Sequence, residues 1–212
     1  MPKAAPISID DRRTRRGAKT AERILDAAEA LFAERGYAGT TLRDVAAAVG
    51  VRNPSLYNHF ESKDALYAAV LERGIRPIFD TLTDWVDAPD GPDHRVLVAR
   101  VMTVLAQRPA LANLIQHEVL GGAEHMTPML RDWVRPILTH ARGMIETGPA
   151  RQRWTTAQVP HLVLAMYQLV VGYFTVAPLY RELTGDDPLS AKALAEQTRF
   201  LEAAVPRLIE GT

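Results

Sequence analysis

The sequence predicts an all-α fold in which a small unit of three short helices is followed by a larger helical domain. Apolar residues recur at helical spacing, no stretch shows a convincing strand alternation, and the short helices near the N-terminus have their own capping signals. The chain has 212 residues, of which 47% are hydrophobic and 24% charged. It can therefore bury a sizeable core, and its composition is that of an ordinary globular protein.

The first helix is predicted to follow a disordered arm. Residues 1–19 contain two prolines and a cluster of arginines. This composition indicates a basic arm that either binds a partner or is only a solvated tail. Helical spacing of apolar residues begins at Ile24, and Gly36 is expected to end that helix as a C-terminal cap.

Two shorter helices follow. Thr41 and Asp44 have the spacing of a capping box, and Gly50 is expected to end the helix that they begin. Because Pro54 disfavours helical geometry in the residue before it, Asn53 is predicted to cap the next helix. The three helices together predict a first domain over residues 20–66.

A further helix start leads into a second domain, predicted over residues 67–212. Proline- and glycine-containing segments separate its helices, and Pro178 is expected to end the most apolar of them. The helices are predicted at residues 63–84, 93–107, 109–120, 127–147, 156–180 and 188–210.

The two short helices and the sharp turn at Gly50 have the order of a helix-turn-helix. In such a pair, the second helix enters the major groove of DNA with its N-terminal end. Residues 1–63 have 11 Lys+Arg against 8 Asp+Glu, whereas the remainder has 14 against 17, so the basic end fits an anionic partner. The outward positions carry side chains suited to base edges and phosphates, namely Arg52, Asn53, Ser55, Tyr57, Asn58 and His59.

Residues 23–73, RILDAAEALFAERGYAGTTLRDVAAAVGVRNPSLYNHFESKDALYAAVLER, resemble the DNA-binding half of the tetracycline-repressor (TetR) family. The resemblance implies that Thr41 and Lys63 hold phosphates at helix N-termini, and that Tyr57 and His59 contact the DNA backbone. Pro54 departs from the small residue common at its position and removes one backbone N–H. The resemblance also implies that base edges are read by Arg52, Asn53, Ser55 and Asn58.

The second domain is expected to dimerise, as the resemblance implies. The segment from His161 to Tyr180 is apolar on all sides, so it is either a membrane span or a helix covered by the core and a second subunit. The second alternative is favoured because Gln168 interrupts the segment and no second span exists. The predicted dimer interface consists of Val163, Val170, Gly172, Phe174, Leu194, Leu201, Val205 and Leu208.

A cavity for a small effector, apolar or aromatic, is expected in the same domain. The alternative is that the residues that would line the cavity are ordinary core. They are Met102, Leu105, Asn113, His117, Met129, Trp133, Ile137, Met166 and Tyr167.

These observations predict an all-α regulator whose N-terminal three-helix DNA-binding domain is followed by a helical ligand-binding and dimerisation domain. The family resemblance implies a homodimeric repressor, which an effector releases from an inverted-repeat operator. A ligand-independent activator or architectural DNA-binding protein with the same N-terminal domain is the alternative.

Several other classes of protein are disfavoured. The chain has no cysteine, no Gly-rich phosphate loop, no nucleophile elbow and no HExxH motif, so we expect neither an enzyme nor a cofactor. His117 and His125 lack the i, i+4 spacing of a metal-binding helix, so no metal is expected. No apolar run follows the basic N-terminal residues, which predicts a cytoplasmic protein rather than a secreted one.

Overall fold

The computed structural model describes residues 9–88 and 93–210, and every regular element in these ranges is helical. The predicted all-α fold is confirmed. The α-helices are α1 (Ile9–Arg35), α2 (Leu42–Val49), α3 (Asn53–Tyr57), α4 (Lys63–Val86), α5 (His94–Gln107), α6 (Pro109–Leu120), α7 (Thr127–Thr147), α8 (Val159–Thr184) and α9 (Ala191–Glu210). Two 3₁₀ turns, Pro149–Gln152 and Thr156–Gln158, lie between α7 and α8.

The chain divides into two compact units, Met1–Val70 and Leu71–Thr212. The core of the first unit is built where α1, α2 and α3 meet. Ile24 and Phe32 of α1 are fully buried, as are Val45 of α2 and Leu56 of α3. Burial of each such side chain contributes about 1.5–3 kcal/mol, which holds the three helices together.

The helix α1 begins earlier than the sequence predicts. Residues 9–19, expected in a disordered arm, belong to α1, and residues 1–8 lie outside the described residues. No proline occurs between Pro6 and Pro54, and arginine, lysine and alanine are good helix formers. Gly17 costs about 1 kcal/mol in a helix interior, which a helix of 27 residues with a buried apolar face tolerates.

The core of the second unit lies mainly between α5, α6, α8 and α9. Helix α5 packs along α9, and α6 packs on α8. The indole Nε1 of Trp154, between α7 and α8, donates to the backbone oxygens of Leu208 and Ile209 at 3.1 Å each. This contact ties the irregular segment to the end of α9. The largest buried side chains of this core include Met102, Leu105, Leu111, Leu114, Phe174 and Leu201.

The apolar helix α8 continues through Pro178, which was expected to end it. It ends at Thr184, and Gly185 caps it with φ of +76°. Phe174 and Ala177 are both buried next to the proline, so packing offsets the hydrogen bond that the proline removes. The helical segment Thr156–Thr184 is long and apolar enough to cross a membrane by length and composition, and only 17% of its most apolar window is buried within one chain.

Candidate nucleic-acid interface

Helix α2 starts at a complete capping box. The Thr41 hydroxyl oxygen accepts from the Asp44 backbone N–H at 3.2 Å, and the Asp44 carboxylate accepts from the Thr41 backbone N–H at 2.8 Å. The Thr41 hydroxyl also donates to the Asp44 carboxylate at 2.6 Å. These hydrogen bonds from Thr41 lower the pKa of Asp44. Thr41 is exposed, but its hydroxyl hydrogen is directed at Asp44.

The turn between α2 and α3 requires glycine. Gly50 has φ of +69°, in the left-handed region. Its backbone N–H donates to the Ala47 carbonyl at 3.2 Å, and the next N–H, that of Val51, donates to Ala46 at 3.0 Å. From α1, Arg23 Nη2 donates to the Val49 carbonyl at 2.7 Å. The end of α2 is thus capped from within and from α1, which fixes where α3 begins.

Arg52, and not Asn53 as predicted, is the N-cap residue of α3. Arg52 is extended, with φ of −78° and ψ of 146°, and no side chain caps the helix. Asn53 is the first helical residue, so Pro54 falls in the first turn, where a missing N–H breaks no helical hydrogen bond.

The predicted DNA-contacting residues of α3 fall into two groups. Neither group includes Leu56, which is fully buried and packs α3 against the core of the unit. Arg52, Tyr57 and Asn58 are exposed, with Tyr57 exposed to 52%. In the second group, Asn53, Ser55 and His59 are half-buried. An exposed aromatic ring beside an arginine and an asparagine is suited to a polar, anionic partner.

A groove of about 540 Å³ runs between α1 and α3. Ser55 of α3 and His59, just after this helix, line the groove from one side. The remaining lining residues are Gly17, Lys19, Thr20, Arg23 and Val51. The sequence interpretation missed the α1 side of this groove. Lys19 and Arg23 are spaced i, i+4, but that signal needs a helix extending before Thr20.

The start of α4 places Lys63 over an aromatic ring. Ser62 caps the helix by accepting from the Ala65 N–H at 3.0 Å. Lys63 Nζ lies 4.0 Å from the ring centroid of Tyr37, and the Tyr37 hydroxyl donates to the Asp64 carboxylate. Burial, followed by the hydrogen bond and charge of Asp64, raises the pKa of Tyr37 to about 12. Tyr37, which the sequence interpretation did not select, thus organises the helix start that carries Lys63.

The predicted effector residues are not gathered around one described cavity. Met102 and Leu105 are buried core residues, and His117 is exposed, so it is not a buried lining residue. Asn113, Ile137 and Met166 are half-buried, and the side chain of Met129 lies outside the described residues. A groove of about 330 Å³ in this unit is lined by none of them, but by Thr81, Ala99, Arg100, Thr103 and Val104.

Two of the predicted effector residues have distinctive surroundings. The ring of Trp133 lies 5.1 Å from that of Phe79 and 4.9 Å from the guanidinium of Arg76, both on α4. The Tyr167 hydroxyl is buried and has no hydrogen-bond partner among the described residues, and burial raises the pKa of Tyr167. A buried polar atom without a partner is costly, so Tyr167 can still bind an acceptor or donor.

Three of the predicted dimer residues are buried within their own subunit. Phe174, Leu201 and Val205 are each at least 97% buried in the core of their own unit. Val163 is exposed, and Val170, Gly172, Leu194 and Leu208 are half-buried. The exposed large apolar side chains of α8 and α9 are Val163, Leu164, Leu169, Val176, Leu179, Tyr180, Leu183 and Phe200.

The residues considered for a metal have structural roles. Glu118 is only 5% exposed, and its carboxylate accepts from the Met126 N–H at 3.0 Å and lies 3.1 Å from His125 Nδ1. These contacts close the connection between α6 and α7. Within residues 9–88 and 93–210, no group of three potential metal ligands occurs.

Comparison with known proteins identifies the family. Residues 24–70 match the family of bacterial regulatory proteins called tetR, and residues 94–205, more than half of the chain, match the tetracyclin repressor-like C-terminal domain. The HTH-type transcriptional repressor KstR2 of Rhodococcus jostii (strain RHA1) is 36% identical over 137 residues, 65% of this chain and 60% of that protein. The biofilm operon icaADBC HTH-type negative transcriptional regulator IcaR of Staphylococcus aureus (strain Newman) is 43% identical over 63 residues, 30% of this chain and 32% of that protein.

Solved structures share the fold along most of the chain. A regulatory protein in the tetR family from Rhodococcus RHA1 has a TM-score of 0.68 and 24% identity, covering 90% of this chain and 97% of that one. The fatty acid degradation regulator FadR from Bacillus halodurans has a TM-score of 0.61 and 17% identity, covering 87% and 93%. This chain spans 60% and 32% of the length of the two curated relatives above. The matches to both halves of the family show that the chain belongs to the TetR family of bacterial transcription regulators.

Proposed function

We propose that this protein is a cytoplasmic transcriptional repressor that binds an inverted-repeat operator as a homodimer and is released by a small-molecule effector. The observation that carries the proposal is the exposure of Tyr57 on α3 and of its two cap residues, Arg52 and Asn58, after the Gly50 turn. Repression is proposed because the curated relatives are a transcriptional repressor and a negative regulator. Catalysis has no part in the proposal.

The DNA contacts are proposed to divide between bases and backbone. Arg52, Asn53 and Asn58 present side chains able to hydrogen bond to base edges in the major groove. Tyr57 and Lys63 are proposed to contact phosphates on either side of that groove. Lys63 is suited to this role because its ammonium already lies against the Tyr37 ring. The side chain is therefore partly ordered before DNA binds, and it loses less conformational entropy on binding.

At Thr41, the phosphate contact is proposed to involve a change of hydrogen bonding. Its hydroxyl hydrogen is directed at Asp44, so it must turn away to donate to a phosphate. The charge of Asp44 also opposes an approaching anion. We therefore propose that Thr41 contributes less to DNA affinity than Lys63 does.

A homodimer is proposed to form through an apolar stripe on α8. Leu169, Val176 and Leu183 are exposed and spaced seven residues apart, so they share one helix face, with Gly172 between them allowing close approach. Phe200 of α9 is also an exposed apolar side chain. A second subunit on this face covers the apolar side of α8 without a membrane.

The effector is proposed to be an apolar or aromatic molecule that binds near Trp133. A flat ligand can replace the contacts of Trp133 with Arg76 and Phe79. Because Arg76 and Phe79 belong to α4, which starts at Lys63, a ligand at Trp133 acts on the helix whose first residue is proposed to hold DNA. The ligand must bind the DNA-released state more tightly to have this effect.

The test of DNA binding is selection of fragments from genomic DNA at physiological salt. Wild type is expected to enrich an inverted repeat. Tyr57→Ala is expected to lose that enrichment, and Arg52→Ala is expected to enrich the repeat with a relaxed preference for one base pair. The matched control is Arg95→Ala, an exposed arginine on α5, which should enrich the same repeat. Failure of wild type to enrich any sequence, in the presence or absence of cell-extract metabolites, contradicts the proposal.

A further inference from the structure

We propose that the groove between α1 and α3 is a further binding site for a DNA backbone phosphate, with Lys19 as the cation that approaches it from solvent. This inference rests on the proposed function and extends the DNA interface to helix α1. Neither the helix-turn-helix pattern nor the family likeness assigns a role to Lys19. The argument uses the lining of the groove, the arrangement of its two cations and the orientation of α3.

The lining of the groove suits an anion. Lys19 and Arg23 are cationic, Thr20 and Ser55 carry hydroxyls, and His59 supplies an imidazole. None of the lining residues is acidic. Hydroxyl, imidazole and ammonium groups are the side chains that proteins use to bind phosphate oxygens, and a phosphate needs several donors converging from different directions.

The two cations have different tasks. Arg23 Nη2 donates to the Val49 carbonyl at 2.7 Å, so this side chain holds α1 against the end of α2 and adds its charge to the groove. Lys19 is exposed one helical turn earlier, on the same side of α1. Lys19 is therefore the residue placed to approach a phosphate from solvent, while Arg23 keeps the walls of the groove in position.

The orientation of α3 points to DNA as the source of the phosphate. Ser55 and His59 line the groove, whereas Tyr57 and Asn58 are exposed. A helix lying in the major groove has a phosphate backbone along its flank, and contacts to that backbone set its register. Ser55, to which the family likeness gives a base contact, is thus assigned to a phosphate, and reading of base edges is left to Arg52, Asn53 and Asn58.

The length of α1 supports the same partner. In the sequence, the segment between Ile9 and Gly17 carries four arginines and two aspartates, a net charge of +2. A helical segment of this charge, leading into the groove at Lys19, raises the local concentration of a polyanion such as duplex DNA. A single small anion gains less from charge spread along a helix.

The experiment is the salt dependence of operator binding by wild type and Lys19→Gln, using the sequence that selection recovers. Loss of one phosphate contact makes the slope of log K against log salt less negative by about 0.9 for each protomer. Wild type should bind the operator more tightly than Lys19→Gln at 50 mM salt. The ratio of their association constants should fall about three- to fourfold per contact when the salt is raised to 200 mM. Preference for the operator over a mismatched sequence should not change, because a phosphate contact carries no sequence information.

Two further variants separate this site from its alternatives. Lys192→Gln removes an exposed lysine of α9 and should leave the slope as in wild type. Ser55→Ala should weaken binding to all sequences alike, whereas Arg52→Ala should relax the preference for one base pair. Equal urea unfolding curves for wild type and Lys19→Gln show that the fold is retained.

The outcomes are distinguishable. If wild type binds no DNA sequence, the proposed function fails and this inference fails with it. If wild type binds its operator but Lys19→Gln has an unchanged slope, only the inference fails. A Ser55→Ala variant with altered base preference also overturns it, because Ser55 then reads a base. Protection of Lys19 by inorganic phosphate but not by operator DNA, in chemical modification of lysines, identifies a free anion as the ligand and likewise contradicts the assignment to DNA.

Discussion

Replacing Tyr37 by phenylalanine tests how the start of α4 is held. The Tyr37 hydroxyl donates to Asp64, while the ring contacts Phe32 and Tyr67 at centroid distances of 6.2 and 4.9 Å. Tyr37→Phe keeps these ring contacts and the face beneath Lys63, and it removes only the hydroxyl. The variant therefore isolates the hydrogen bond to Asp64.

The pKa of Tyr37 gives an upper bound for the effect, because burial is the largest cause of its rise from 10.0 to about 12 and the hydrogen bond to Asp64 is the second. A rise of this size corresponds to at most about 2.7 kcal/mol, and solvent screening at a half-exposed group reduces it to about 1 kcal/mol. Because the folded-state pKa lies above the unfolded value, this stabilisation is fully present below pH 10. It is lost as the pH rises through about 12.

The assay is urea unfolding followed by circular dichroism at pH 8 and pH 11. Wild type is expected to exceed Tyr37→Phe by about 1 kcal/mol at pH 8, and by less at pH 11. Tyr57→Phe is the control, since this exposed tyrosine should give the stability of wild type at both values. Equal stabilities of wild type and Tyr37→Phe at pH 8, or a difference that stays constant up to pH 11, would refute the reasoning.

Two predictions concern the second unit. Glu118→Ala leaves the Met126 N–H without its acceptor in a buried setting, which should cost about 2 kcal/mol and lower the Tm by about 4–8 °C in a thermal scan; an unchanged Tm would show that the connection does not depend on this carboxylate. Leu183→Glu places a charge on the proposed dimer stripe and should convert dimer to monomer in sedimentation velocity. Leu120→Glu, equally exposed at 76% against 75% for Leu183, is its control on α6 and should remain dimeric, so equal behaviour of the two variants contradicts the assigned interface.

The helices of the chain are predictable where local signals decide their ends. Helix α6 begins at Pro109 and is capped by Gly121, as the sequence predicts. Helix α7 ends before Gly148, also at its predicted end. The predicted start of α1 is wrong because the helix-forming residues between Pro6 and Gly17 outweigh these two helix-disfavouring residues. The predicted end of α8 at Pro178 is wrong for a related reason, because burial of Phe174 and Ala177 outweighs the tendency of proline to end a helix.

The candidate site is predictable in part. The exposure of Tyr57 and the burial of Leu56 follow from helical spacing around the Gly50 turn. The groove with Lys19 depends on how α1 packs against α3, and the role of Tyr37 depends on a contact with α4. Both depend on tertiary contacts, which cannot be predicted from the spacing of apolar residues along one helix.

The dimer stripe shows a second limit of the sequence. Helix α8 is apolar on all sides, so its pattern has no period that separates the face packed in the core from the face available to a partner. Phe174, a predicted interface residue, is buried, whereas Leu183, which the pattern does not distinguish, is exposed. On α9, Leu201 and Val205 form the apolar stripe that the pattern predicts, but this stripe packs into the subunit's own core.

Hydroxyl-radical footprinting on the selected DNA is the most direct test of the central proposal, that a dimer reads an operator through α3. We expect two protected half-sites related by a twofold axis and separated by one helical turn or a multiple of it. Leu183→Glu should lose both protections together at concentrations where wild type occupies the site. Protection of a single asymmetric half-site by wild type would contradict the account.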